Sequence, residues 1–303
     1  MSQSGFIFDV KRFAIHDGPG IRTTVFFKGC PLDCPWCHNP EGKARQLEFM
    51  WAEADCLGCR DCKDACNRNA ISFPKGSLLL EKEKCNFCQV CTQICPARAL
   101  RIVGSETTVM EVMKELEKDV PFYDQSDGGV TFSGGEPLMQ PLFLNDLAEA
   151  CKDTGMHTTL DTCGYAEPES LQGISRHIDL FLYDLKMVDD EKHVRFTGVS
   201  NSLILENLRT LSRSGENVIV RYPLIPTVND NDEDISKLAD FVSTLKGVKE
   251  VHVLPYHRSW VTKSKGLIWA EEKPFDNHPP SPTSLKRIQG KLLDTGKKVL
   301  VSR

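Results

Sequence analysis

Eleven of the thirteen cysteines in this 303-residue chain fall into three short stretches, and that grouping limits the fold before any helix or strand is considered. Cys30, Cys34 and Cys37 stand in C-x3-C-x2-C spacing. Cys56, Cys59, Cys62 and Cys66 read C-x2-C-x2-C-x3-C, and Cys85, Cys88, Cys91 and Cys95 repeat that spacing, with Pro96 after the last. Each cysteine of the third stretch lies 29 positions after its counterpart in the second. The flanks echo as well, Ala70-Ile71 against Ala99-Leu100, so residues 55–103 are a duplicated unit. The odd count, the tight clustering and the lack of an apolar leader in residues 1–13 favour metal ligation in a reducing cytoplasm over disulfides.

The two quartets have the spacing of bacterial ferredoxins that carry two [4Fe-4S] clusters. In that arrangement the fourth cysteine of each quartet crosses to the other cluster. Cys56, Cys59, Cys62 and Cys95 then hold one, and Cys85, Cys88, Cys91 and Cys66 the other. So short a segment buries too little apolar surface to stand alone and draws stability from its clusters. One departure is Asn67, where proline follows the second quartet's last cysteine. The first stretch differs in kind. Three thiolates on one loop ligate three irons of a cube and leave the fourth open to a substrate, whereas closed clusters only pass electrons. Zinc is the competing reading, with His38 as a fourth ligand. Adjacent side chains such as Cys37 and His38 diverge, which argues against one shared ion.

Outside the insert, short apolar segments alternate with amphipathic ones. Strands are expected at 23–27, 130–133, 158–161, 180–184, 218–222 and 251–255. Helices are expected at 110–118, 142–153, 202–212, 233–245 and 282–293, with a last strand at 299–302. This is an α/β pattern with a parallel sheet: a partial TIM-type barrel of six strand–helix units. Residues 1–54 and 104–303 form the barrel, and residues 55–103 form the inserted ferredoxin-like domain. The net charge of −5 gives no electrostatic case for nucleic acid. No apolar run approaches the roughly 18 residues of a membrane helix. Active sites of such barrels lie at the C-terminal strand ends. There this sequence places the three-cysteine loop, Gly134-Gly135-Glu136, Asp161 and Thr162, Asp184 and Lys186, Arg221, and His257. Helix capping explains single members of that set, not the cations on the same rim.

These residues resemble the glycyl radical enzyme activating enzymes, a radical S-adenosylmethionine (SAM) family. The resemblance runs from Asp17-Gly18-Pro19-Gly20-Ile21-Arg22 through Phe26-Phe27-Lys28-Gly29-Cys30 and Cys37-His38-Asn39-Pro40-Glu41-Gly42. It continues in Ser133-Gly134-Gly135-Glu136-Pro137, Leu160-Asp161-Thr162, Tyr183-Asp184-Leu185-Lys186, Phe196-Thr197-Gly198-Val199, Arg221-Tyr222 and Leu254-Pro255-Tyr256-His257. It implies reductive cleavage of SAM at the cluster of Cys30, Cys34 and Cys37. The resulting 5′-deoxyadenosyl radical then abstracts hydrogen from a glycine of a partner enzyme, an eliminase or decarboxylase.

The resemblance also assigns roles. Gly134 and Gly135 permit close backbone approach, and Glu136 or nearby carbonyls accept from the SAM amine. Lys186, Arg221 and His257 contact SAM, with Lys186 counted among the catalytic residues. Asp161, the Thr162 backbone and Asp184 surround a monovalent cation, or the two carboxylates accept ribose hydroxyls. Trp36 lies near adenine, and Asp17 touches the partner's glycine loop. Cys163 stands where some members carry asparagine and has no role assigned; it and Cys151 read as small apolar fillers. The implied cofactors are three [4Fe-4S] clusters and SAM; the implied reductant is a flavodoxin or ferredoxin-type protein. Two rivals remain: a radical SAM enzyme acting on a small molecule, and a ferredoxin-like electron carrier.

Overall fold

The computed structural model describes residues 3–270, 275 and 277–301. Its strands in chain order are β1 (Ser4–Ala14), β2 (Arg22–Phe27), β3 (Glu48–Trp51), β4 (Ile71–Ser72), β5 (Leu79–Leu80), β6 (Leu100–Val103), β7 (Ser105–Thr108), β8 (Gly129–Gly134), β9 (Thr158–Thr162), β10 (Leu180–Asp184), β11 (Val218–Leu224), β12 (Glu250–Pro255) and β13 (Lys298–Val301). Nine of them make one sheet in the order β13-β12-β11-β10-β9-β8-β2-β1-β7. From β2 to β13 every neighbour is parallel, while β1 pairs antiparallel with both β2 and β7. β7 and β13 are its two edges, so the barrel is open. The six expected parallel strands are all present, and β13 adds a seventh; Ser302, the end of the last expected strand, lies outside the described residues.

The alternation along these strands explains the open shape. Residues facing the helices are apolar: Val25 and Phe27, Val130 and Phe132, Phe181 and Tyr183, Val251 and Val253 are buried in one core. Helix residues such as Leu144, Leu147, Leu208 and Leu238 meet them, each fully buried. Full burial of such a side chain contributes roughly 1.5–3 kcal/mol. The other face of the same strands is mixed, because side chains alternate with period two. It carries Thr24, Thr131, Ser133, Asp161, Asp184 and Arg221 beside Leu180, Leu182, Ile219 and Leu254. A closed TIM barrel fills its centre with branched apolar side chains. Here that filling is missing, and the concave face is a groove of about 1200 Å³.

β2 and β8 are joined through the insert. β3 and β6 pair antiparallel, Glu48 opposite Val103 and Trp51 opposite Leu100, and form the neck where the chain enters and leaves it. Inside, the 29-residue repeat is visible in the backbone. Gly58 and Phe87, Arg60 and Gln89, and Asn69 and Arg98 are three equivalent pairs, all with φ between 50° and 72°. Four-residue helices, Asp61–Asp64 and Val90–Gln93, follow the second pair. The insert's core of Phe49, Ile71, Leu80 and Leu100 is completed from far away in sequence. Trp269 packs edge-on against Phe49 and Phe87 and donates its indole N–H to the Leu80 carbonyl at 2.8 Å.

Candidate active site

The three-cysteine loop leaves the end of β2 and is stapled at both ends. Gly29 N–H donates to the Gly42 carbonyl at 2.7 Å, and Cys30 N–H to Lys43 at 3.0 Å. The Lys28 side chain is wholly buried and donates to the Glu41 carbonyl at 2.7 Å and to Glu48 Oε2 at 2.8 Å. These bonds fold the loop over the C-terminal ends of β8 to β11. Cys30, Cys34 and Cys37 thereby face a cavity of about 170 Å³ that Trp36, Gly134, Gly135, Asp161, Thr162, Asp184, Lys186 and Arg221 also line.

Burial pushes all three thiols up, Cys34 to about 11. Such thiols stay protonated until a metal replaces the proton. Among the described residues no three His, Cys, Asp or Glu side chains converge as ligands of one ion. Thiolates at the corners of an iron–sulfur cube need not converge, so this donor set fits a cube better than zinc. In the insert, Cys56, Cys59, Cys62 and Cys95 line one cavity, and Cys66, Cys85, Cys88 and Cys91 line another. The grouping is the crossed one.

Register sets the charges. Asp184 on β10 is opposite Arg221 on β11, and Asp161 on β9 is opposite Leu182. Arg221 therefore lies between two carboxylates, 3.2 Å from Asp161 Oδ1 and 3.4 Å from Asp184 Oδ1. Lys186 Nζ donates to Asp184 Oδ2 at 2.6 Å, and Ser133 Oγ to Asp161 Oδ2 at 2.7 Å. Burial raises the Asp161 carboxyl to about 6, with Asp184 adding to the rise and Arg221 opposing it. Burial also works against charged Asp184, but Lys186 and Arg221 outweigh it and hold that carboxyl low. Two polar atoms of this cluster, Asp184 Oδ1 and Arg221 Nε, are buried without a hydrogen bond and face each other as an ion pair at 3.4 Å.

Not every expected residue faces this cavity. The Glu136 side chain is fully buried and turned away. It accepts from Leu138 N–H at 3.0 Å, Thr162 Oγ1 at 2.7 Å and Cys163 N–H at 2.7 Å, tying the β8 turn to the end of β9. The glycines also serve the protein itself. A Cβ on Gly135 would strike the Gly29 and Gly42 carbonyls, so the turn is glycine because the cysteine loop packs on it. Trp36 is buried between Phe196 and Phe275, at 5.9 and 5.6 Å, in an apolar wall with Ile225, Tyr256 and Trp260. His257 stacks on His38 at 4.1 Å and lines the large groove instead. Asp17 lines that groove too, its carboxylate accepting from Thr24 Oγ1 at 2.7 Å. Arg221 and His38 line both spaces, so the cavity opens onto the groove.

Sequence reasoning missed several contributors. Ser133 was legible only as part of the glycine turn, although its place at the inward end of β8 marks it. Cys163, which the sequence places near the expected cation site without a role, lines the cavity beside the cysteine loop. Lys263, on the helix Trp260–Gly266, reaches Glu41 at 2.8 Å and the His38 carbonyl at 3.3 Å, and no local motif announces it.

Comparison with known proteins agrees with this architecture. Residues 82–241 match the radical SAM superfamily, and residues 55–99 match a 4Fe-4S dicluster domain. The chain is thus a radical SAM enzyme with an iron–sulfur insert. It is 40% identical to the choline trimethylamine-lyase activating enzyme of Oleidesulfovibrio alaskensis, over 95% of both chains. It is 44% identical to the trans-4-hydroxy-L-proline dehydratase activating enzyme of Clostridioides difficile, over 83% of this chain and 84% of the relative. A solved domain of pyruvate-formate lyase-activating enzyme from Bacteroides vulgatus superposes with a TM-score of 0.50 at 33% identity, covering 58% of this chain and 99% of that one. The chain belongs to the glycyl radical enzyme activating enzymes. Its reaction is reductive cleavage of SAM, with the 5′-deoxyadenosyl radical taking a hydrogen atom from a partner's glycine. No helix among the described residues is long and apolar enough to cross a membrane.

Proposed function

We propose that the cavity beneath the cysteine loop is where SAM is bound and cleaved, and that the groove beside it admits the partner's glycine loop. One observation carries the reading: three thiols and the Asp161–Arg221–Asp184–Lys186 charge cluster share one buried space that opens onto the groove. Cys30, Cys34 and Cys37 would hold a [4Fe-4S] cluster, which supplies one electron and an open iron for the SAM amino and carboxylate groups. Lys186 and Arg221 neutralise the SAM carboxylate. Carbonyls of the Gly134-Gly135 turn accept from its amine, since the Glu136 carboxylate is already committed. Trp36, Ile225 and Tyr256 form the apolar wall for adenine, and His257 contacts SAM from the groove side. Asp161, Asp184 and the Thr162 backbone hold a monovalent cation beside the carboxylate. Asp17 accepts a peptide N–H of the glycine loop.

Residues 1–54 and 104–303 act as one catalytic body. Residues 55–103 carry two further clusters, three in all, and relay electrons from a flavodoxin or ferredoxin-type reductant in the cytoplasm. The partner is an eliminase or decarboxylase. The support is the likeness to activating enzymes named for choline trimethylamine-lyase, hydroxyproline dehydratase and 4-hydroxyphenylacetate decarboxylase.

The test uses anaerobic protein with those three enzymes as candidate partners. Electron paramagnetic resonance reads the glycyl radical, and chromatography reads 5′-deoxyadenosine. Lys186→Met and Arg221→Met should weaken SAM binding at least tenfold with the loop cluster's spectrum unchanged. Asp17→Ala should keep SAM affinity and cluster reduction but slow radical installation. Normal SAM affinity in both cation variants would overturn the assignment of the cavity.

A further inference from the structure

We propose that Phe13, Ile15 and Phe122 form the surface on which the folded body of the partner glycyl radical enzyme docks, beside the groove that takes its glycine loop. The inference rests on the reading of the groove given above and names what lies against its rim. All three side chains are exposed: 50% for Phe13, 65% for Ile15 and 39% for Phe122. They are not scattered. Phe13 and Phe122 meet edge to face at 5.1 Å, and Ile15 lines the groove two residues from Asp17.

The patch is held in place. Phe13 has φ of 60°, the left-handed region that a bulky aromatic residue rarely enters. It sits at the register shift of β1 against β2, between Lys11 and Ala14. Strain of this kind persists where surrounding structure enforces it, and it clusters at functional surfaces. The Arg12 guanidinium stands 5.0 Å from the Phe13 ring centre and is ion-paired to Asp119, which is buried and also accepts from Thr23 Oγ1. The Asp17 loop is anchored to the helix that carries Phe122, Val120–Ser126, by the Ile21 N–H to Ser126 Oγ bond of 2.8 Å. Buried Arg22 secures its other side, donating to the Pro19 carbonyl at 3.1 Å. Patch and glycine-loop contact are thus one rigid unit.

Geometry supplies the occupant. A partner glycine that reaches the SAM cavity must pass through the groove, so the protein body carrying that loop lies over its rim. Exposed aromatics at a rim, already fixed in one geometry, lose little freedom on binding and are what a partner's apolar surface fits.

The test uses whichever of the three candidate partner enzymes the wild-type chain activates, together with a short peptide spanning that enzyme's glycine loop. The variant combines Phe13→Asn, Ile15→Ser and Phe122→Gln; asparagine accepts the left-handed backbone, so folding is preserved. The expected result is a rise of at least tenfold in KM for the whole partner, with kcat and the KM for the peptide within twofold of wild type. An unchanged KM for the whole partner overturns the proposal. An equal rise for both substrates also overturns it, because the effect would then lie in the groove. Asp17→Ala, run in parallel, reports on the groove alone: it should impair both substrates, and no effect on either would sink the groove reading. Photocrosslinking reads the patch independently of turnover. A benzophenone side chain at Phe122 should capture the partner, whereas one at exposed Leu142, on the helix Pro141–Asp153, should not. Capture of a second copy of this chain from position 122, or of the partner equally from both positions, refutes the patch.

Discussion

Replacing Glu136 separates a structural from a ligand-binding role for the Gly-Gly-Glu turn. Its buried carboxylate accepts three hydrogen bonds, from Leu138 N–H, Thr162 Oγ1 and Cys163 N–H. Glu136→Ala leaves all three donors without a partner in a buried site. At roughly 1–3 kcal/mol for each unsatisfied donor, the loss is on the order of 5 kcal/mol, a large share of a typical fold's stability. Glu136→Gln keeps one acceptor oxygen and turns an NH₂ towards a donor, a loss of about 2 kcal/mol. For a chain of this length about 2 °C of melting temperature corresponds to each kcal/mol, so the expected falls are about 10 °C and about 4 °C. A pH effect follows. Burial raises the Glu136 carboxyl, against the pull of its hydrogen bonds. The folded state therefore keeps the proton to higher pH than the unfolded chain. Wild-type stability from this group is full below the ordinary carboxyl pKa and declines as pH rises through the raised one. Glutamine lacks that slope, so the penalty of Glu136→Gln should shrink as pH rises. Anaerobic thermal melts of the reconstituted protein measure both effects. SAM affinity should stay within twofold in Glu136→Gln. If Glu136→Ala melts within 2 °C of wild type, or SAM binding falls tenfold at normal stability, the argument fails.

The reconstituted chain should carry about twelve irons by cube stoichiometry, and replacing Cys30, Cys34 and Cys37 together should remove about four of them along with all SAM cleavage. A fully loaded wild type with about four irons would remove the case for clusters in the insert. Cys59→Ala with Cys88→Ala should slow turnover with flavodoxin or ferredoxin but spare it with a strong chemical reductant; equal turnover under both conditions would show that no relay is needed. Asp184→Asn leaves Lys186 and Arg221 with Asp161 as the remaining carboxylate of the cluster. The cost should be about 3–5 kcal/mol, read as a lower melting temperature, and partial recovery in Asp184→Asn/Lys186→Met would identify the unpaired cation as its cause.

Much of the barrel was legible because each parallel strand is a short apolar run between amphipathic helices, with polar residues waiting at its C-terminal end. β1 was not legible. Its Phe6, Phe8 and Val10 alternate with other residues, but it is an antiparallel edge addition that the strand–helix rhythm does not announce. The helices Pro168–Ser175 and Asp190–Thr197 were also missed, because each is only eight residues long and carries few apolar positions to show a period. The strut from Gly266 to Trp269 was invisible for a different reason. Its partners, Met50, Phe49 and Leu80, lie 189 to 219 residues earlier. No local pattern encodes such a pairing.

At the site, residue type and chain position read well, while direction did not. Asp161, Asp184 and Arg221 point into the cavity because each occupies an inward position near the end of its strand, and adjacent strands are in register. Glu136 follows its strand by two residues, in a turn where the period-two rule no longer holds, and its carboxylate faces the protein. His257 likewise lies two residues beyond β12 and faces the groove. Lys186, also two residues past its strand, instead joins the charge cluster through its bond to Asp184 Oδ2. Past the strand ends, each side chain's direction is set by its own contacts rather than by the period. A chain with apolar residues at Thr131, Asp161, Asp184 and Arg221 would have no charge cluster at this end of the sheet. On the function proposed above, the polar residues at these inward positions hold SAM while the groove beside them stays open to the partner's glycine loop.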